Sequence, residues 1–368
     1  MLALPVPSAD PVDFRRWGRR AVRARARPKA DGAGVSAYAR RMRAVEIVRP
    51  GGPEVLTETT RPDPVPDPGE VLIQVAAAGV NRADLLQRQG NYPPPPGASD
   101  IPGLECSGVI VGLGDDVVGW QVGDRVAALL DGGGYADLVV TPAAQLLSVP
   151  DHLDLVDAAG LPEAVCTAWS NLVMVGRLAR GEIVLIQGGS GGVGSVAIQL
   201  AAALGAHVVT TAGGPERVER CIDLGAESAL DHRADDVAAH LAEATSGHGA
   251  DVILDVLGAG GLTANVRALA TGGRLVVIGL QQGRRAEIDL GMLMGKRASV
   301  HGTTLRSRPP AEKAAIVADV AAHAWPLLGP ADTRLRPVIH ARMPLAEAGG
   351  AHSQLDSGEV FGKLLLVP

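Results

Sequence analysis

The stretch EIVLIQGGSGGVGSVAIQLAAALGA, residues 182–206, decides the fold. Its opening, Glu182–Gln187, reads as an apolar strand, and the alanine-rich Gly192–Leu204 reads as a helix. Between them stands Gly189-Ser190-Gly191-Gly192-Val193-Gly194, which matches GxGxxG. A strand that turns on glycines directly into a helix leaves bare main chain at the helix N-terminus. There, unpaired amides and the helix dipole favour a diphosphate. In a chain with 47 glycines the motif alone is weak, but strand before and helix after supply the context of a dinucleotide site.

The same alternation continues downstream. Strands are expected at His207–Thr210, Ser228–Asp231, Asp251–Val256, Arg274–Ile278 and Ser299–Gly302, with helices around Glu216–Leu224, Asp235–Ala244 and Leu262–Ala270. Repeated βα units require a parallel sheet covered on both faces, a doubly wound α/β domain. Upstream, up to about Pro150, the style differs. Short strand candidates at Arg43–Val48, Val71–Val75, Gly108–Gly112, Arg125–Leu130 and Leu138–Thr141 are separated by turn-rich runs such as PDPVPDPGE and NYPPPPGASD. From about Arg306 the irregular style returns, with a helix over Ala311–Ala324 and a last strand over Lys363–Val367. The parallel-sheet domain, 161–305, is therefore expected as an insertion in a β-rich domain formed by 42–160 and 306–368.

Residues 1–41 carry ten basic side chains against three acidic ones and show no apolar period. This composition predicts a disordered basic extension, and Met42 is the expected natural beginning. The remainder holds 24 basic against 37 acidic residues, a balance that opposes nucleic acid as the main ligand. No run approaches the ~18 to 20 apolar residues of a membrane span. Three cysteines without a CxxC spacing exclude a disulfide scaffold and fit the reducing cytoplasm.

An NAD-type site places an acid about 20 residues past the glycines. Here that position falls on Thr210-Thr211-Ala212-Gly213-Gly214, without a carboxylate, while Arg217 and Arg233 lie close by. Missing acid with nearby guanidinium suits the 2′-phosphate of NADPH ahead of NADH. Metal-ligand spacings such as H-E-x-x-H are absent, and Cys106 in GLECSG reads as a core thiol. Asn81 and Asp84 follow a strand, and Tyr92 sits on a loop bordered by four prolines. A tyrosine so placed suits a hydrogen bond to a carbonyl, or packs its loop.

From Met42 to Pro368 the chain resembles the zinc-free quinone oxidoreductases of the medium-chain dehydrogenase/reductase superfamily. The likeness is strongest to the branch containing the tumour-suppressor-inducible quinone oxidoreductase. It rests on GGPEVL, NRADLLQRQGNYPPPPGAS, IPGLECSG, VGDRVAALLDGGGYAD, LPEAVCTAW, VLIQGGSGGVG, ILDVLG and TLRSR. In zinc-using relatives a cysteine stands at Asn81 and a histidine at Leu104, so no metal site is implied. The resemblance implies a GroES-like β-rich catalytic domain with an inserted Rossmann domain, NADPH as cofactor, a quinone as substrate and a homodimer built by Rossmann sheet edges. It further implies that Asn81 and Tyr92 line the catalytic pocket and position the acceptor carbonyl, with Tyr92 or water as the proton donor. Thr167 would contact the cofactor, Gly189, Ser190, Gly191, Gly192, Val193 and Gly194 would hold its pyrophosphate, and Gly213, Gly214, Arg217, His232 and Arg233 would surround the adenosine phosphate. Leu280, Leu305 and Arg306 would close over the ring. Asp231-His232 replaces a common Asn-Tyr pair, and Gly214 a common Ser or Thr, which removes contacts to the phosphate. Reduction by hydride or by single electrons is left open. The alternatives are reduction of an enone or 2-alkenal in the same cleft, and an NADPH- and RNA-binding protein that uses the basic extension.

Overall fold

The computed structural model describes residues 41–330 and 334–368. The expectations for the basic extension, disorder and an RNA-binding arm included, fall outside these residues except at Arg41, which opens the first strand two residues ahead of the expected Arg43.

In the N-terminal part, β1 (Arg41–Ile47) pairs with β2 (Leu56–Pro62) as an antiparallel ribbon. A seven-stranded sheet follows. It contains β3 (Glu70–Gly79), β4 (Glu105–Leu113), β5 (Arg125–Leu129), β6 (Leu138–Pro142) and β7 (Leu146–Ser148). A second sheet of six parallel strands comprises β8 (Ile183–Ile186), β9 (His207–Ala212), β10 (Ser228–Asp231), β11 (Ala250–Asp255), β12 (Leu269–Val277) and β13 (Ser299–Gly302). The chain then returns to the first sheet with β14 (Ile339–Pro344) and β15 (Lys363–Val367), the latter antiparallel to β3.

The parallel sheet has the order β10-β9-β8-β11-β12-β13, with the reversal between β8 and β11 at which a doubly wound fold binds its ligand. Its strands are buried on both faces, as Val184, Leu185 and Ile186 illustrate. One apolar cluster joins the two sheets: Leu129 and Leu147 of the first pack in the same core as Val165, Leu172, Val184 and Val196. The helix Pro310–His323 adds Ile316, Val317 and Val320 to it.

Candidate active site

The helix Gly192–Ala203 starts directly behind the glycine turn. Its first helical hydrogen bond runs from the Ser195 amide to the Gly191 carbonyl at 2.9 Å, so the amides of Gly192, Val193 and Gly194 lead the helix without a carbonyl one turn back. The left-handed residue of the turn is Gly188, at φ 75°, one position before the motif. Gly191 is extended, and a Cβ there would meet only the Gly188 carbonyl, at 3.4 Å. Bare main chain therefore faces outward at a helix N-terminus, as a pyrophosphate requires.

The adenosine end is more mixed than the sequence suggested. Gly213 lies against the guanidinium of Arg233, whose nitrogens would stand 3.1–3.2 Å from a Cβ there. His232 is exposed beside it. Arg217 points elsewhere, donating to the carbonyl of Gly358 at 2.6 Å. The second strand ends without an acid, but the third delivers Asp231 to the same turn. The backbone amides of Gly214 and Arg233 donate to its carboxylate and hold its pKa below the usual range.

The glycine turn rests on the last strand. The Gly362 amide donates to the Ser190 carbonyl at 2.8 Å, and a Cβ on Gly192 would stand 2.5 Å from Cδ of Lys363. From there the Lys363 ammonium reaches inward to Glu105 and to Asn81 Oδ1, 2.7 Å away. Asn81 Nδ2 donates to Glu105 Oε1 at 2.9 Å and to the Gly79 carbonyl at 3.4 Å. Both ends of this buried amide are thus engaged, and neither N–H is left for a substrate carbonyl. Asn81, expected to position the acceptor, here holds Lys363 and Glu105 in place. Asn81 also caps the helix Arg82–Arg88, its own amide donating to Asp84 Oδ2 at 2.8 Å.

Glu105 receives one more bond, from the Glu163 amide at 2.9 Å. The Glu163 carboxyl, partly exposed in the first turn of Pro162–Trp169, has a single hydrogen-bond donor, the Thr167 hydroxyl at 3.5 Å. Burial, and then the charge of Glu105, push its pKa up to about 8, against the opposing pull of Lys363 and Arg306. Thr167 is partly exposed beside it. Asp84 is also raised, to about 6, chiefly by burial. Its carboxylate has three donors, the Asn81 amide, the Gly103 amide and the Tyr135 hydroxyl.

Arg306 closes this cluster from the side of the second sheet. It is buried, its Nε donates to the Asp131 carbonyl at 2.8 Å, and its guanidinium lies 5.5 Å from the Tyr92 ring. Its Nη2 is buried and has no partner among the described residues. Lys313, from Pro310–His323, pairs with the Asp131 carboxylate behind it. Burial raises the Tyr92 hydroxyl's pKa, with a contribution from Glu163, and lowers that of Arg306. Leu305 is buried next to Arg306, whereas Leu280 is 58% exposed. Cys106 is a fully buried thiol, raised in pKa by burial, and among the described residues no group of three or more His, Cys, Asp or Glu could hold a metal ion.

The sequence points to Tyr92 and the glycine turn, and the family resemblance to Arg306; neither singles out Glu105, Glu163 or Lys363, which the structure gathers beside them. The available signal was a charge in an apolar run. Lys363 is one of four lysines in the chain and interrupts FGKLLLV at an inward-facing position.

A model of the alcohol dehydrogenase GroES-like domain matches residues 67–151, and a model of zinc-binding dehydrogenases matches residues 192–321. A phenolphthiocerol/phthiocerol polyketide synthase protein of Mycobacterium tuberculosis is 34% identical over 91% of this chain, which spans 15% of that protein's length. The quinone oxidoreductase of Lama guanicoe is 33% identical over 89% of this chain and 98% of its own. The crystal structure of Escherichia coli quinone oxidoreductase complexed with NADPH superposes with a TM-score of 0.79 at 26% identity, over 89% of this chain and all of that one. No helix among the described residues is long and apolar enough to cross a membrane. With a GroES-like β domain, a Rossmann domain and an oxidoreductase relative matched over nearly its whole length, this chain belongs to the medium-chain dehydrogenase/reductase superfamily of oxidoreductases.

Proposed function

We propose that the chain is a cytoplasmic, zinc-independent quinone reductase that uses NADPH. The cofactor domain is 161–305, and the catalytic domain combines 42–160 with 306–368. The observation that carries this reading is the pairing of a pyrophosphate cradle, the bare Gly191 main chain before Gly192–Ala203, with an unpartnered buried Arg306 Nη2 beside Tyr92. Bound NADPH supplies a hydride. The protein's part is to hold the diphosphate at the amides of Gly192–Gly194 and to orient an acceptor oxygen with Tyr92 and Arg306. A quinone suits a site without a Lewis acid, because its reduction gives an aromatic product whose oxygen needs only modest stabilisation. The homodimer reading draws on β13, the edge of the parallel sheet, where Val300 is exposed and Leu290 and Met294 lie bare on the preceding helix.

The reading is tested by following NADPH oxidation against a panel of quinones and enones. Quinones are expected to turn over and enones to lag; the reverse order would reassign the substrate class. Tyr92→Phe removes one hydrogen bond to the acceptor and is expected to lower turnover about tenfold, the scale of a single such bond, with NADPH affinity unchanged. Wild-type turnover in the variant would remove the hydroxyl from the reaction.

Cofactor choice gives a second expectation. Arg233 favours a 2′-phosphate and Asp231 opposes it, across an exposed turn. By calorimetry, Asp231→Asn is expected to raise the preference for NADPH over NADH, and Arg233→Ala to lower it. Each change should reach up to about fivefold, the scale of exposed charge pairs. Equal responses of both nucleotides would place the phosphate elsewhere.

A further inference from the structure

We infer that Glu163 is the proton donor of this site, giving its carboxyl proton to the oxygen anion left on a quinone after hydride transfer. The inference deepens the quinone-reductase reading and rests on it.

The geometry argues first by charge. Three carboxyls converge here from separate elements: Asp84 from the helix Arg82–Arg88, Glu105 from β4 and Glu163 from Pro162–Trp169. Two cations face them, Lys363 from β15 and Arg306 from the segment after β13. Asp131 and Lys313 form their own pair and cancel. Arg88, buried on the same helix as Asp84, adds a cation on the far side of Tyr135. Carboxyls gathered this closely in a largely buried cluster oppose one another's ionisation, so the one with the least support from donors keeps its proton most readily.

Hydrogen bonding then decides which carboxyl carries it. Asp84 has three donors, and Glu105 has three in Lys363, the Asn81 side chain and the Glu163 amide. Among the described residues Glu163 has only the Thr167 hydroxyl, at 3.5 Å. A carboxylate gains most from donors, so the least-donated carboxyl is the one that stays protonated. The raised pKa, about 8, agrees with this assignment and keeps the proton in place at neutral pH.

Position completes the argument. Among the three, Asp84 and Glu105 are fully buried, and Glu163 alone is partly exposed. Once ionised, it acts electrostatically on both Tyr92 and Arg306, the two groups assigned to the acceptor, which puts its carboxyl within their reach. Tyr92, proposed from sequence as a donor, has a hydroxyl made more basic by burial and by Glu163, and is the poorer acid.

The step balances as follows. The quinone takes a hydride from NADPH: the nicotinamide C–H bond breaks, an O–H bond forms on one quinone oxygen, NADPH is oxidised and the quinone reduced by the same electron pair. The other oxygen is left as a phenolate. The Glu163 O–H bond breaks, its proton makes the second O–H of the hydroquinone, and water reprotonates the Glu163 carboxylate from its exposed side.

The test uses the full chain with NADPH and a simple naphthoquinone, comparing wild type, Glu163→Gln and Glu163→Asp. Infrared titration of the wild type is expected to show a protonated carboxyl band that disappears through about pH 8 and is absent from Glu163→Gln. Because Gln mimics a neutral Glu, the thermal midpoint and the calorimetric NADPH affinity should not change. Turnover of Glu163→Gln should fall about 100-fold, the lower end of general-acid effects. Wild-type turnover should decline as pH rises through about 8, where the donor loses its proton, and that decline should vanish in Glu163→Gln. Glu163→Asp, which restores an acid, should recover part of the rate and the pH dependence. Wild-type rate and pH profile in Glu163→Gln, or a Glu163 already ionised at neutral pH, would overturn the donor role alone. A wild-type chain that binds NADPH but reduces no quinone would overturn the acceptor reading and the donor role with it.

Discussion

Lys363→Met is expected to lower the free energy of unfolding by about 3–5 kcal/mol, the cost of leaving one member of a buried ion pair unpartnered. Lys363 is 4% exposed, and its ammonium is shared between Glu105 and Asn81, both buried. Methionine keeps the stem that supports Gly192 and removes only the charge. Glu105 would then keep the Asn81 side chain and the Glu163 amide as donors, with no cation in direct contact. The cluster would hold one more uncompensated negative charge, and the Glu163 proton should be bound more tightly still. Adding Glu105→Gln removes the orphaned charge and is expected to restore most of the loss, since a buried pair contributes little net stability when both members go together. Denaturant unfolding of the two single variants and the double variant provides the cycle. A loss below about 1 kcal/mol in Lys363→Met, or no recovery in the double variant, would show that the ammonium does not neutralise Glu105 as the geometry implies.

The parts of this molecule that could be read in advance are those in which local sequence and local structure obey one rule. The parallel sheet is such a part. Ser228–Asp231 and Ser299–Gly302 fall where the alternation put them, and Gly192–Ala203 ends one residue short of its expected limit. Short strands and strands at the margins of their sheets escaped. β2 is LTETTRP, half-exposed in a two-stranded ribbon; β7 has only three residues; β14, IHARMP, alternates between partly and fully exposed positions at the end of its sheet. The helix Arg82–Arg88 was hidden for another reason. Its cap, Asn81 with Asp84, follows the long β3 so closely that Asp84 reads equally as site chemistry or as the first charge of a helix, and a seven-residue helix has too little apolar period to decide.

The site divides in the same way. The glycine turn is a property of consecutive residues, so spacing revealed it. Asn81 illustrates the limit, because its residue type suggested an amide offered to a substrate. The structure instead shows its Nδ2 donating to Glu105 and its Oδ1 accepting from Lys363, 282 positions away in sequence. Glu105, Glu163 and Lys363 each look like an isolated charge in an apolar run, and their meaning lies in a convergence that long-range strand pairing creates.

The second large expectation separates two roles within the glycine motif. Gly194→Ala would drive a Cβ into the Gly188 carbonyl and to 2.7 Å from the Gly189 Cα, backbone atoms that cannot yield unless the helix moves off β8. Overpacking of this kind costs about 1–3 kcal/mol. Moving the helix also withdraws the amides of Gly192–Gly194, so NADPH binding should be lost together with stability. Gly191→Ala is predicted to behave differently. Gly191 is extended, at φ −79° and ψ 173°, and its Cβ would find only an ordinary contact at 3.4 Å. The variant should fold with an unchanged melting temperature, yet bind NADPH at least about tenfold more weakly, because a methyl group now stands where the diphosphate must approach the main chain. Calorimetry with NADPH, paired with thermal unfolding of each variant, reads both quantities. If Gly191→Ala bound NADPH as tightly as the wild type, the diphosphate would lie on another surface and the cradle would have to be sought elsewhere. If Gly194→Ala kept both affinity and stability, the contact between the helix and the turn would be looser than these distances describe.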